Sequence, residues 1–150
     1  MIKIQKSASF PTTQNPKLYD LEDRTFEFAK ASRAFVKRLP RTIANNEDAK
    51  QFIRASGSIG ANYIEANESI GKKDFVMKVK ICRREAKESG YWLRLLDCDG
   101  NLEPTRANLL TEARELMKIF GAIVRKSENR FLNLEFGIYL GFRDSIFGFS

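Results

Sequence analysis

The chain has 150 residues, 43% of them apolar and 30% charged, the composition of one ordinary globular domain and not of a disordered segment. Its 26 Lys and Arg against 19 Asp and Glu give a net charge of +7, which favours acidic partners such as nucleic acid. Histidine is absent, which removes the commonest general base and the commonest zinc ligand. Cys82 and Cys98 have no CxxC spacing and read as one core thiol and one loop thiol in a reducing compartment. No segment is apolar for long enough to span a membrane, and MIKIQKSASF lacks the apolar run of a signal peptide.

Residues 1–17, with Pro11 and Pro16, read as an extended lead-in. Helical periodicity then runs from Leu18 to about Asn129, broken at Leu39-Pro40, around Ser69-Ile70-Gly71 and at Asp97 to Gly100. The first helix is expected over Leu21 to Leu39. Leu21, Thr25, Phe28, Ser32, Phe35, Val36 and Leu39 share its inner face, and Pro40 blocks the next turn. The second helix is expected from an N-cap at Asn46, with Phe52, Ala55, Ser56, Ile59, Tyr63, Ala66 and Ile70 inward. SGSIGANYIEANES lies on this helix. Its spacing does not match a phosphate loop, so Gly57, Gly60 and Ala61 point to close approach of a neighbouring backbone.

The third helix is expected over Lys72 to Leu96, with Phe75, Val79, Cys82, Ala86, Ser89, Leu93 and Leu96 inward. A second apolar flank, Met77, Ile81, Trp92 and Leu95, makes more than half of its circumference apolar. That suits a central helix or an oligomer interface. Asp97 to Asn101 resembles a calcium loop only superficially and reads as a helix stop with Gly100 in a left-handed cap. A fourth helix starts near Pro104 and ends near Asn129, burying Leu109, Leu110, Ala113, Leu116, Met117, Phe120, Ile123 and Val124. In the tail, residues 130–150, Leu132, Leu134, Phe136, Ile138, Leu140 and Phe142 alternate with period two, the pattern of a strand. Short connections between the helices predict an all-α fold, an antiparallel up-down-up-down four-helix bundle over 18–129.

Ser58-Ile59-Gly60-Ala61-Asn62 with Glu65, and Glu85 to Ser89 followed by Tyr91-Trp92-Leu93, carry a resemblance. From about Leu18 to Asn129 the chain resembles bacterial four-helix-bundle proteins, including the large-subunit ribosomal RNA intervening-sequence proteins. The accessory variability determinant proteins of diversity-generating retroelements are similar. The resemblance implies a homopentameric ring, association with RNA or DNA, and in the retroelement branch a reverse transcriptase as partner; the reducing compartment expected from the cysteines is the cytoplasm. The resemblance does not imply catalysis; the absent histidine and the missing phosphate and metal motifs argue against an enzyme, and no cofactor is expected.

Eight Lys and Arg against three Asp and Glu fall between Lys72 and Arg94, so this helix holds most of the net charge. Lys73, Lys80, Arg83, Arg84, Lys87 and Arg94 share one broad arc with Tyr91 among them. Such an arc can track phosphates while Tyr91 stacks on a base, or it can be a solvated helix face. Lys30, Arg33 and Lys37, beside Phe26, form an outer arc on the first helix, and Arg114, Lys118 and Arg125 one on the fourth. Arg54, Ser58, Asn62 and Glu65 share one flank of the second helix, where they can form a polar ligand site or a hydrogen-bonded network between helices or subunits. Glu85 and Glu88 beside Trp92 are expected to pair with Arg84 or Lys87, not to act as acid and base. A protein-interaction scaffold with no direct nucleic-acid role is the alternative function these residues allow.

Overall fold

A computed structural model describes residues 21–146, with side chains described through Arg130 and at Asn133. Four helices follow in order: α1 (Leu21–Val36), α2 (Ile43–Asn67), α3 (Lys72–Leu95) and α4 (Glu103–Ile146), with a short 3₁₀ turn at Gly100–Leu102 before the last. Each helix packs on its neighbours in the chain, α2 against α3 and α3 against α4 most extensively, and α1 closes the ring against α4. This is the expected all-α, up-down-up-down bundle.

The inward stripes fill one core. Phe28, Phe35, Phe52 and Phe120 are sealed from solvent together with Ile59, Val79, Leu93, Leu109 and Leu116. Side chains of this size contribute about 1.5–3 kcal/mol each on burial. Thr25, Ser32 and Ser89 are equally buried. They satisfy their hydroxyls locally, each donating to a carbonyl one turn back: Leu21 O at 2.7 Å, Phe28 O at 2.8 Å and Glu85 O at 2.8 Å. Small hydroxyls therefore fit an apolar stripe without an unpaired donor.

Gly60 accounts for the small residues of α2. A Cβ there would stand 2.9 Å from Thr25 Oγ1 and 3.3 Å from Thr25 Cβ, so the glycine admits α1. Ala61 is exposed and takes no part in that approach.

Several boundaries differ from expectation. Thr42, not Asn46, caps α2: its hydroxyl accepts from the Asn45 amide at 3.1 Å. Asn45 turns inward instead. Its Nδ2 donates to Pro40 O and to Asp97 O, both at 2.9 Å, and its Oδ1 accepts from the Asp97 amide at 2.9 Å. One buried side chain thus ties the α1–α2 connection to the end of α3. Helix α1 stops at Val36, and a final tight turn carries Leu39 into the core. Ile70, expected at the end of the α2 stripe, lies in the α2–α3 connection and is fully exposed.

Gly100 is not a left-handed cap, since no described glycine has positive φ. Helix α3 leaves through extended backbone at Leu96, φ −64° and ψ 126°, which keeps Leu96 buried. Gly100 then opens the 3₁₀ turn that buries Leu102.

Helix α4 does not end near Asn129. It runs 44 residues, to Ile146, so the period-two stretch continues a helix and forms no strand. A strand there would need a ladder partner, whereas a helix satisfies its backbone within itself. No proline follows Pro104, and Gly137 and Gly141 cost only about 1 kcal/mol each. The expected lead-in lies outside the described residues.

Candidate nucleic-acid interface and subunit face

Helix α3 places its two sets of polar residues on different sides. Lys80, Arg83, Arg84, Lys87 and Arg94 are exposed on the side turned outward and toward α4, as is Lys73 in the first turn. Several of these bases are engaged. Lys80 pairs with Glu128 of α4 at 2.6 Å, and Arg84 lies 3.9 Å from Glu85. Arg83, Lys87 and Arg94 form no ion pair with a described residue.

Gly121 on α4 shows where this arc continues. A Cβ built there would lie 3.3 Å from Arg125 Nη1 and 3.6 Å from Arg83 Nε. Guanidinium groups from two helices converge over a residue without a side chain, with no described carboxylate paired to either. Guanidinium groups are the side chains that pair with phosphate oxygens bidentately. Lys118, also on the outer face of α4, is paired with Glu115 at 3.3 Å.

The basic residues of α1 form a separate group. Lys30 and Lys37 are exposed, but α1 packs beside α2 and α4, diagonally across the core from α3. Arg33 folds back, donating to Ala29 O at 3.0 Å, with its guanidinium 3.2 Å from where a Cβ on Gly57 would stand. The two basic arcs of one chain therefore do not form one surface.

The polar flank of α2 meets α3. Arg54 donates to Glu88 at 2.5 Å and sits 4.0 Å from Glu85, while Glu65 accepts from Lys78. Ser58 and Asn62 stay local, donating to Arg54 O and Ser58 O, both at 2.8 Å. The partner of the two glutamates is chiefly Arg54 across the interface, with Arg84 a longer contact and Lys87 uninvolved.

Glu88 also accepts from Trp92 Nε1 at 3.2 Å, which holds the indole half-buried against the polar pair. Tyr91 stands edge-on to Trp92, ring centroids 5.1 Å apart, and is 55% exposed. Leu95 on the same flank is exposed and Ile81 half-buried, whereas Met77, expected beside them and also exposed, lines a cavity between α3 and α4.

Glu85 is the feature that spacing alone did not reveal. It is 5% exposed, and its Oε2 has no hydrogen-bond partner among the described residues. Burial, reinforced by the nearby Glu88 charge, raises its pKa above the ordinary 4.5. The sequence signal was the pair of carboxylates itself, but which of them faces inward depends on the roll of α3. A second buried carboxylate, Glu112 of α4, is held by Arg24 of α1 through bonds of 2.6 and 3.0 Å.

Both cysteines are free. Burial pushes the Cys82 thiol up to about 12, which leaves it unreactive at neutral pH. Cys98, in the loop, bonds Glu103 at 3.4 Å.

Fold and surface together define an all-α bundle with a cationic outer arc on α3 and α4 and a mixed polar and apolar flank between α2 and α3. Residues 19–122 match the family described as 23S rRNA-intervening sequence protein, and the chain belongs to that family. It is similar to the crystal structure of a protein of unknown function from the S23 ribosomal protein family of Bacteroides thetaiotaomicron VPI-5482. That comparison has a TM-score of 0.58 and 26% identity, covering 69% of this chain and 97% of that one. No curated protein matches. Among the described residues, no helix is long and apolar enough to cross a membrane.

Proposed function

We propose that this chain is a non-catalytic cytoplasmic protein that assembles into a ring and binds RNA through phosphate contacts along α3 and α4. One observation carries the reading: Arg83 and Arg125 converge over Gly121, in line with exposed Lys87 and Arg94, and none of them is paired with a described carboxylate. Cations left unpaired in this way release counterions when phosphates replace them, which gives affinity without sequence readout. The family's description, which names a ribosomal RNA intervening sequence, supports RNA as the polyanion. Self-association draws on the α2–α3 flank, where Leu95 is exposed and a buried carboxylate lacks a donor. A pentamer, and a role beside a reverse transcriptase or another mobile-element component, follow the resemblance.

The test is the triple variant Arg83→Glu, Lys87→Glu, Arg125→Glu. It should abolish binding to RNA while the thermal unfolding midpoint stays within a few degrees of wild type. Unaltered binding would place the interface elsewhere. The exposed apolar flank also suits a scaffold for another protein, and in that case the native chain shows no RNA affinity at all.

A further inference from the structure

Between the first turns of α3 and the middle of α4 lies a cavity of about 690 Å³. Phe75, Val76 and Met77 supply its apolar lining, and Lys72, Lys73 and Arg130 bring cations to it. The Lys80–Glu128 pair bounds it further along the helices. Helix α3 begins here without a side-chain cap, so its positive end adds to the field of the lysines.

We propose that this cavity receives an unstacked base of single-stranded RNA, a deepening that rests on the phosphate-binding reading above. An aromatic ring, a valine and a thioether inside a ring of cations suit a flat apolar body attached to an anion, which describes a base on its phosphodiester. The cavity is continuous with the proposed phosphate track. Val76 precedes Arg83 by seven residues on α3, about 10 Å along the axis. A strand anchored by Arg83 and Arg125 is therefore within a nucleotide or two of the opening. A duplex keeps its bases stacked inward and cannot fill the cavity, so the site discriminates by strandedness and not by sequence. Base-on-aromatic contacts of this kind tolerate any base.

The experiment compares binding of a 12-nucleotide single-stranded RNA carrying 2-aminopurine with binding of a duplex of the same length. The proteins are wild type, Val76→Phe, which narrows the cavity at its wall, and Met77→Glu, at an exposed position where folding is not at stake. The expected result is about a tenfold loss of single-strand affinity in both variants, with duplex affinity unchanged for Val76→Phe. The 2-aminopurine emission should change on binding to wild type only.

Equal loss on both RNAs, or no loss on either, overturns the base pocket while the phosphate track stands. Failure of the wild type to bind any RNA defeats the underlying reading. If Val76→Phe alters the sedimentation coefficient, the cavity is a contact between copies, and the base pocket is overturned. Binding of dodecanoate that single-stranded RNA fails to displace would reassign the cavity to an acyl chain and also overturn it.

Discussion

Gly57 and Gly60 lie three residues apart on α2 and should respond in opposite directions to the same substitution. At Gly57 a methyl group meets only the end of the Arg33 side chain, at 3.2 Å, and that arginine can swing away. Gly57→Ala should therefore raise stability by about 0.5–1 kcal/mol, the ordinary helix gain. At Gly60 the methyl meets Thr25 Oγ1 at 2.9 Å and Thr25 Cβ at 3.3 Å. Thr25 cannot yield, because its hydroxyl already bonds Leu21 O and Glu22 O. Overpacking of this kind costs about 1–3 kcal/mol, so Gly60→Ala should destabilise despite the same propensity gain. Urea unfolding of both variants checks the pair.

Glu85 carries a pH dependence whose sign is fixed by its environment. Its pKa is raised in the folded state above the ordinary 4.5, so the folded chain holds that proton more tightly than the unfolded chain. The group therefore costs stability at neutral pH, and the cost disappears as pH falls through the raised pKa toward 4.5. Glu85→Gln should unfold at a higher temperature than wild type at pH 7, and the gap should close near pH 4.5. A gap that widens on acidification would mean the carboxylate is well paired.

At the scale of elements, Asn45 is the tie between the two connections at one end of the bundle. Asn45→Asp would set a carboxylate against the carbonyls of Pro40 and Asp97, which now accept from its amide. Leaving such buried groups unpaired costs about 1–3 kcal/mol each. The variant should lose about 3 kcal/mol by urea unfolding, with helix content retained in the folded state. On α4, Val124 is the last buried apolar residue among those described, and the family match stops at residue 122. A chain ending at Arg130 should unfold within a few degrees of the full chain.

The inner stripes were legible in the sequence because a period of 3.6 marks a helix face whatever packs on it. Phe28, Phe52, Val79 and Phe120 show this. A close approach at Gly60 was legible as well, since an interior glycine needs an offset, but what approaches is chiefly the Thr25 side chain and not a backbone, and Gly57 meets only the Arg33 side chain. Asn45 was not legible: Thr42, Asn45 and Asn46 are all plausible caps, and only the path of the α3–α4 connection draws Asn45 inward. The tail misled because period two in apolar residues also arises in a helix that is apolar on most sides. Of the site, the cationic arc was visible as composition. The convergence of Arg83 and Arg125 was not, because it depends on the register of α3 against α4.

For the whole molecule, the ring of helices separates two charged surfaces, with the α1 bases diagonal to those of α3. Copies joined through the α2–α3 flank would leave the α3–α4 arc outermost on every subunit, so that its cations recur around the assembly and their fields add. The direct measurement is the RNA affinity of the intact protein across a salt series, by fluorescence anisotropy. The account predicts that log Kd rises linearly with log salt, with a slope of about 0.7 for each phosphate neutralised on a single strand. It also predicts a slope smaller by about two in the triple variant if any residual binding can be followed. An affinity indifferent to salt, or a wild-type protein that binds no RNA even at low salt, would contradict it.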